Sequence, residues 1–241
     1  MKKQWVNEAA LEVGRQSGHR GAVKESLRGK SANGIALGLK CGIAAGPLYV
    51  AVGTIQALTR EGFDIRRHAL SLLSNGDLGW IQISNFLLSA VLVLAFAVAA
   101  GRTFARGTGG LWGPLLIGGY GLGLFGAGMF VADPALGFPV GAPEGSPEQT
   151  SFSGLMHFVC GGFGFLCLIA ACLAFARRFF RSNRKGWGLY SAATGVLFFA
   201  AFAGISSGNA HPALNIAFSA AVVLGWTWIS SLAWQLLKHG R

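Results

Sequence analysis

The stretch Trp80–Ala100, WIQISNFLLSAVLVLAFAVAA, decides the fold. It contains no charged residue, and its length of about 20 residues lets an α-helix cross the roughly 30 Å hydrocarbon core of a bilayer. The stretch therefore predicts a transmembrane helix and an integral membrane protein.

Five further apolar stretches have a similar length: Ile35–Leu58, Trp112–Ala132, Gly154–Ala176, Trp187–Ser207 and Ala213–Leu236. The 241-residue chain is 52% hydrophobic and only 12% charged, with a mean hydropathy of +0.50. A soluble domain has about twice this share of charged residues. We therefore predict an all-α bundle of six transmembrane helices over residues 35–241, preceded by a basic tail over residues 1–34.

The net charge of +11 is unevenly distributed along the chain. Most Lys and Arg residues lie in the N-terminal tail, in 101–111, in 177–186 and at the C-terminus, whereas the alternate loops contain only Arg60, Arg66 and Arg67. Basic residues favour the cytoplasmic side, so both termini are predicted there. The basicity then indicates topology and attraction of the tail to anionic lipid, rather than nucleic-acid binding.

The first outer loop, residues 59–79, is predicted to hold a short helix in the membrane interface. Asp64 is a candidate N-cap, and Asn75 with Gly76 forms a stop signal. On this helix Ile65 belongs to an apolar side, whereas His68 and Ser71 share a polar side that faces the helix ends.

The third span contains the pair Gly119 and Gly123 among many other glycines. Small residues at this spacing let helix backbones approach closely in lipid, so we predict a central, tightly packed helix.

Several segments carry a resemblance to a known family. They are RRHALSLLSNGDLGW (66–80), DPALGFPVG (133–141), SGLMHF (153–158), RRF (177–179) and GWGLYSAATG (186–195). Together they resemble domain-of-unknown-function family nine-nine-eight, a group of mostly bacterial six-helix membrane proteins. The resemblance extends from about Ile35 to Leu237. It implies six helices and a bacterial plasma membrane, and it assigns no catalytic residue because the family has no established activity.

Polar residues near the outer ends of the spans are the candidate site. Ionisable groups at such depth usually face a cavity or a partner. The candidate ligand-binding residues are His68, Ser71, Asp77, Gln82, Asp133, His157 and His211.

Three chemical interpretations of this cluster stay open. His68, Asp133, His157 and His211 offer the ligand types of a catalytic zinc, although no local spacing fixes their geometry. Ser71 beside His68, with Asp64 or Asp77 as the orienting acid, is a weaker serine-hydrolase arrangement that lacks a nucleophile-elbow motif. His157 and His211 are also candidate axial ligands of a haem.

A purely structural interpretation competes with all three. In it, His157 and His211 bond backbone or hydroxyl groups of adjacent helices. Asp133 caps the third span, or it pairs with Arg66 or Arg67 and so joins the first two outer loops.

The sequence favours binding over catalysis. We expect an outer-facing polar pocket for a lipid or small amphiphile, or docking on a membrane partner. A metal-dependent intramembrane hydrolase and a structural subunit of a membrane complex are the competing hypotheses.

Overall fold

The structure is a computed structural model. It describes residues 2–104, 110–145, 147, 149–208 and 211–239, with side chains from residue 29 onward except that of Lys30. The described part is all-α. Its helices are α1 Lys2–Thr59, α2 Gly79–Phe104, α3 Trp112–Met129, α4 Phe152–Arg181, α5 Lys185–Ser206 and α6 Pro212–His239.

Five of these helices are long and apolar enough to cross a membrane. They are α2, α4, α5, α6 and the part of α1 from Ser31 to Thr59. The 18-residue helix α3 is not among them, because its seven glycines lower its hydropathy. The multi-pass membrane character predicted from the sequence is thereby confirmed, whereas a sixth span and the orientation of the termini stay predictions.

Helix α1 differs from the prediction at its start. Its backbone is helical from Lys2, so the helix continues across the boundary predicted at Gly34. Hydropathy predicts which part of a chain can enter the lipid bilayer. It does not predict where the helix begins, because a polar sequence can remain helical outside the bilayer. The division into a basic tail and a membrane domain stays a prediction.

The six helices form a ring. Each packs against its neighbours in sequence, and α6 returns to α1. Loops 60–78 and 130–151 and the short α5–α6 connection lie at one end, called here the loop end. The other end, where α4 finishes at Arg178 and Arg181, is called the basic end.

Glycines bring α3 and α4 into backbone contact. A Cβ placed on Gly123 would lie 2.5 Å from the Cα of Gly164, and one on Gly119 would lie 2.7 Å from Cys167 Sγ. No side chain fits at such separations, so the close packing predicted from the glycine pair is confirmed.

The first loop differs from the helix predicted for it. It holds only a five-residue 3-10 helix, Leu70–Ser74, preceded by a turn in which the Asp64 carboxylate accepts from the backbone N–H of Arg66. The predicted sides are also wrong: Ile65 is exposed, whereas His68 is buried. The turn redirects the chain before a helical face can form, and the second loop covers the side that holds His68.

Candidate functional site

A cavity of about 830 Å³ lies inside the ring at the loop end. Its wall is formed by α3, α4, α5 and α6, with Tyr49 of α1 and Phe86 of α2. Parts of the first two loops, from Ala69 to Leu72 and from Ala132 to Leu136, border its mouth. This volume is within the range of small-molecule sites, about 300–1,000 Å³.

The second loop is held over the first by a buried aromatic side chain. Phe138 is fully buried, and its ring packs edge-on against Phe63 at 5.3 Å and near the ring of His68. The guanidinium of Arg60 lies 5.3 Å from the same ring. Burial of this ring joins the two loops into one cover for the mouth.

One face of α6 carries buried polar groups beside the cavity that have no protein partner. Asn215 Nδ2, Ser219 Oγ and Trp226 Nε1 are buried and make no hydrogen bond. All three residues line the cavity, and Val222 lies between them on the same face. A buried donor without a partner costs about 1–3 kcal/mol, so this face is costly unless something in the cavity bonds to it.

The deep end of the cavity is aromatic. The rings of Tyr49 and Trp226 stack with centroids 4.5 Å apart, and Tyr120 approaches Trp226 at 5.6 Å with its edge. Further along, Phe165 and Phe218 pack against each other at 5.5 Å. The surface therefore suits an apolar or planar group.

His157 lines the cavity and also joins two helices. Its Nδ1 donates to the carbonyl oxygens of Ala127, at 3.0 Å, and Phe130, at 2.8 Å. Because carbonyls only accept, the proton is on Nδ1, and in the neutral ring Nε2 is an acceptor. The structural interpretation of His157 is confirmed, since it satisfies carbonyls at the end of α3.

Asp133 has a role that the sequence does not indicate. It accepts from the backbone N–H of Ser151 at 2.9 Å and from the Ser151 hydroxyl, and so secures the residue that caps α4. The predicted cap of the third span and the pairing with Arg66 or Arg67 are wrong for this residue.

The first two loops are nevertheless joined by an ion pair. Arg67 Nη2 lies 3.0 Å from Glu144 Oε2. Arg66 pairs instead with Asp64 at 2.8 Å within its own turn, and this lowers the pKa of Asp64 to about 2. The arginines at the mouth are therefore both paired with acids.

The structure divides the candidate residues into two groups. Ser71, Asp133, His157 and His211 line the cavity. His211 is exposed at its rim, where Nδ1 accepts from the backbone N–H of Ala213. The remaining three, His68, Asp77 and Gln82, lie elsewhere.

Asp77 is exposed, whereas Gln82 is buried between α1 and α2. Gln82 Oε1 accepts from Gln56 Nε2 at 2.8 Å, and also from Asn85 Nδ2 at 3.3 Å. Gln82 therefore serves the contact between α1 and α2 rather than the cavity.

His68 connects the two loops through hydrogen bonds to the backbone of each. Its Nδ1 accepts from the backbone N–H of Asp64 at 2.9 Å, and its Nε2–H donates to the carbonyl of Leu136 at 2.9 Å. Both ring nitrogens are thus occupied by backbone groups. His68 has no lone pair left for a metal ion or for activating Ser71, so neither the zinc nor the serine-hydrolase interpretation is supported at this residue.

The zinc interpretation also lacks a ligand group. Within the described ranges, no three His, Cys, Asp or Glu side chains form a group that could hold a metal ion. The set His68, Asp133, His157 and His211 therefore does not converge. The haem hypothesis stays a prediction, since both of its histidines line the same cavity.

A second cavity of about 670 Å³ lies at the basic end. Arg177, Arg178 and Arg181 line it, and the guanidinium of Arg178 lies 4.0 Å from the ring centroid of Phe104. Phe104 and Gly110 also line it. The polar candidates of the loop end take no part in it.

Sequence reasoning misses part of the α6 face. Ser219 lies within an apolar run, and the sequence pattern predicts that Trp226 packs against neighbouring helices. The available signal is their spacing, since 215, 219, 222 and 226 recur at intervals of four, three and four, as on one side of an α-helix.

The chain belongs to the family described as "Protein of unknown function (DUF998)", whose model matches residues 43–235. The resemblance seen in the sequence is thereby confirmed. No curated protein and no solved structure matches the chain.

Proposed function

We propose that the protein binds one lipid or other small amphiphile in the cavity at the loop end. The chain would span the plasma membrane of a bacterium six times, with the loop end outside and both termini in the cytoplasm. The positive-inside pattern supports this orientation.

The observation that carries the proposal is the unpartnered polar face of α6. Asn215, Ser219 and Trp226 leave polar atoms buried beside a cavity large enough for a ligand. The rest of the wall is mainly apolar and aromatic, which is the usual composition of a small-molecule site. A bound amphiphile would satisfy the polar atoms and bury its apolar part against the aromatic rings.

Catalysis and assembly have weaker support than binding. A metal-dependent hydrolase would need the converging ligands that the described residues do not provide. Three further hypotheses stay predictions: binding of anionic lipid at the basic tail, docking on a membrane partner, and the role of a structural subunit. They depend mainly on residues 2–28, whose side chains lie outside the described part of the chain.

Gly161 allows a direct test by filling the cavity. Phe158, Gly161, Gly162 and Phe165 all line it and follow the spacing of one helix face. A Cβ on Gly161 meets nothing within 4 Å, so a side chain can start there, and the ring of Gly161→Phe would fill cavity space. Gly186→Phe is the matched control, because Gly186 is exposed on α5, away from the cavity, with equally open surroundings.

The experiment is extraction of the three proteins into polymer-bounded native nanodiscs, followed by quantification of their lipids by mass spectrometry. We expect a stoichiometric amphiphile in the wild type and in Gly186→Phe, and its loss from Gly161→Phe. Identical lipid content in all three proteins would refute the proposal.

A further inference from the structure

The identity of the unpartnered groups restricts what the cavity can hold. Trp226 Nε1 and Asn215 Nδ2 are donors only, whereas the Ser219 hydroxyl can donate or accept. Each of these residues is more than nine-tenths buried. Their complement is therefore a ligand with acceptor atoms.

The spacing of the donors restricts the position of the acceptors. Asn215 and Trp226 are eleven positions apart, which corresponds to about 16 Å along an α-helix. A single carbonyl group can therefore reach only one of the two donors, either Asn215 near the mouth or Trp226 beside its stacked partner Tyr49.

The charges restrict the ligand further. Among the described lining residues, charged side chains occur only at the mouth, where Arg66 pairs with Asp64 and Arg67 with Glu144. The Asp133 carboxylate accepts a hydrogen bond from the backbone N–H of Ser151. Burying an ionised group without a countercharge costs several kcal/mol, so an anionic or cationic head would be excluded from the deep cavity.

We infer that the ligand is an uncharged lipid with a carbonyl oxygen that accepts from Asn215 Nδ2 or from Trp226 Nε1. This rests on the proposed function and names the ligand class of the same site. Two sources share this chemistry, namely the ring carbonyls of a quinone and the ester carbonyls of a neutral glyceride.

The test uses the full chain in nanodiscs of a diether phosphatidylcholine, which contains no ester carbonyl to compete. The probes are ubiquinone-1, monoolein, oleate at pH 8 and squalene, and the readout is the saturable rise in thermal unfolding temperature. We expect monoolein or ubiquinone-1 to bind, and the one that binds identifies the source. Oleate and squalene should bind at least tenfold more weakly.

Trp226→Phe and Asn215→Leu locate the acceptors, because each keeps the approximate shape and removes the donor. One of the two should raise the Kd of the carbonyl probe about fivefold to tenfold, the worth of one hydrogen bond, and the other should leave it nearly unchanged.

Two failures are distinguishable. If oleate or squalene binds as tightly as the carbonyl probes, or if neither substitution changes the Kd, the inference is wrong while an amphiphile site remains. If no probe binds and Gly161→Phe changes no lipid content, both the inference and the proposed function are wrong.

Discussion

Two regions of this bundle treat their buried polar side chains differently. Between α1 and α2, an amide ladder of Gln56, Gln82, Asn85 and Ser89 connects the helices. Asn85 Nδ2 also donates to the carbonyl of Tyr49 at 3.2 Å. Every side chain of this ladder has at least one protein partner, although Gln56 Oε1 and Gln82 Nε2 remain unbonded.

On the face of α6 that lines the cavity, Asn215 Nδ2, Ser219 Oγ and Trp226 Nε1 have no protein partner. The difference shows that a polar side chain inside a membrane helix does not by itself indicate a ligand-binding site. Where polar groups bond across helices they hold the bundle together. Where they remain unpartnered beside open volume, they indicate a ligand.

The largest expected effect comes from breaking the ladder. Gln82→Leu removes the acceptor shared by Gln56 Nε2 and Asn85 Nδ2, so the free energy of unfolding should fall by about 1–2 kcal/mol. Denaturant unfolding in mixed micelles measures it, with Gln149→Leu in the exposed loop as control. Equal stability of Gln82→Leu and wild type would show that the ladder contributes nothing.

His157→Ala tests a residue that belongs to both kinds of region. It removes the donor to the carbonyls of Ala127 and Phe130, so we expect a loss of about 1 kcal/mol. His211→Ala, at the exposed rim, is the control and should cost less. Elemental analysis should give the same zinc content for all three proteins, and a loss of zinc in His157→Ala would revive the metal interpretation.

The ion pair over the mouth should contribute less to stability than Gln82 or His157. Arg67 and Glu144 are both largely exposed. A double-mutant cycle of Arg67→Ala and Glu144→Ala should therefore give a coupling of about 0.2–1 kcal/mol. The coupling should decrease further in high salt. A salt-independent coupling above this range would mean that the pair, rather than burial of Phe138, holds the loops together.

The smallest effect on stability is expected at Asn215. In delipidated protein, Asn215→Leu removes an Nδ2 that has no hydrogen bond, so stability should stay within about 0.5 kcal/mol of wild type or rise slightly. Differential scanning calorimetry is the measurement. Destabilisation comparable with that of Gln82→Leu would show that Asn215 has a protein partner after all.

Much of the fold follows from the sequence because bilayer thickness sets the length of an apolar run. The run Trp80–Ala100 corresponds to α2, Gly79–Phe104, within a few residues. The ends of the helices are less predictable. Helix α4 continues past Ala176 to Arg181, because basic residues can extend a helix beyond the apolar run.

The site is harder to predict because it depends on contacts between distant segments. His157 and Asp133 stand out in the sequence since polar residues at span ends are few. For His68 the local pattern predicts the wrong side, because its burial requires Phe138 from a loop 70 residues later in the chain. No local pattern contains that contact.

An experimental density map of the wild-type protein in native nanodiscs tests the central claim most directly. The account predicts an elongated molecule in the cavity, with an acceptor atom within about 3.2 Å of Asn215 Nδ2 or Trp226 Nε1. A cavity closed by repacked side chains, or one in which ordered water alone satisfies those donors, would contradict it.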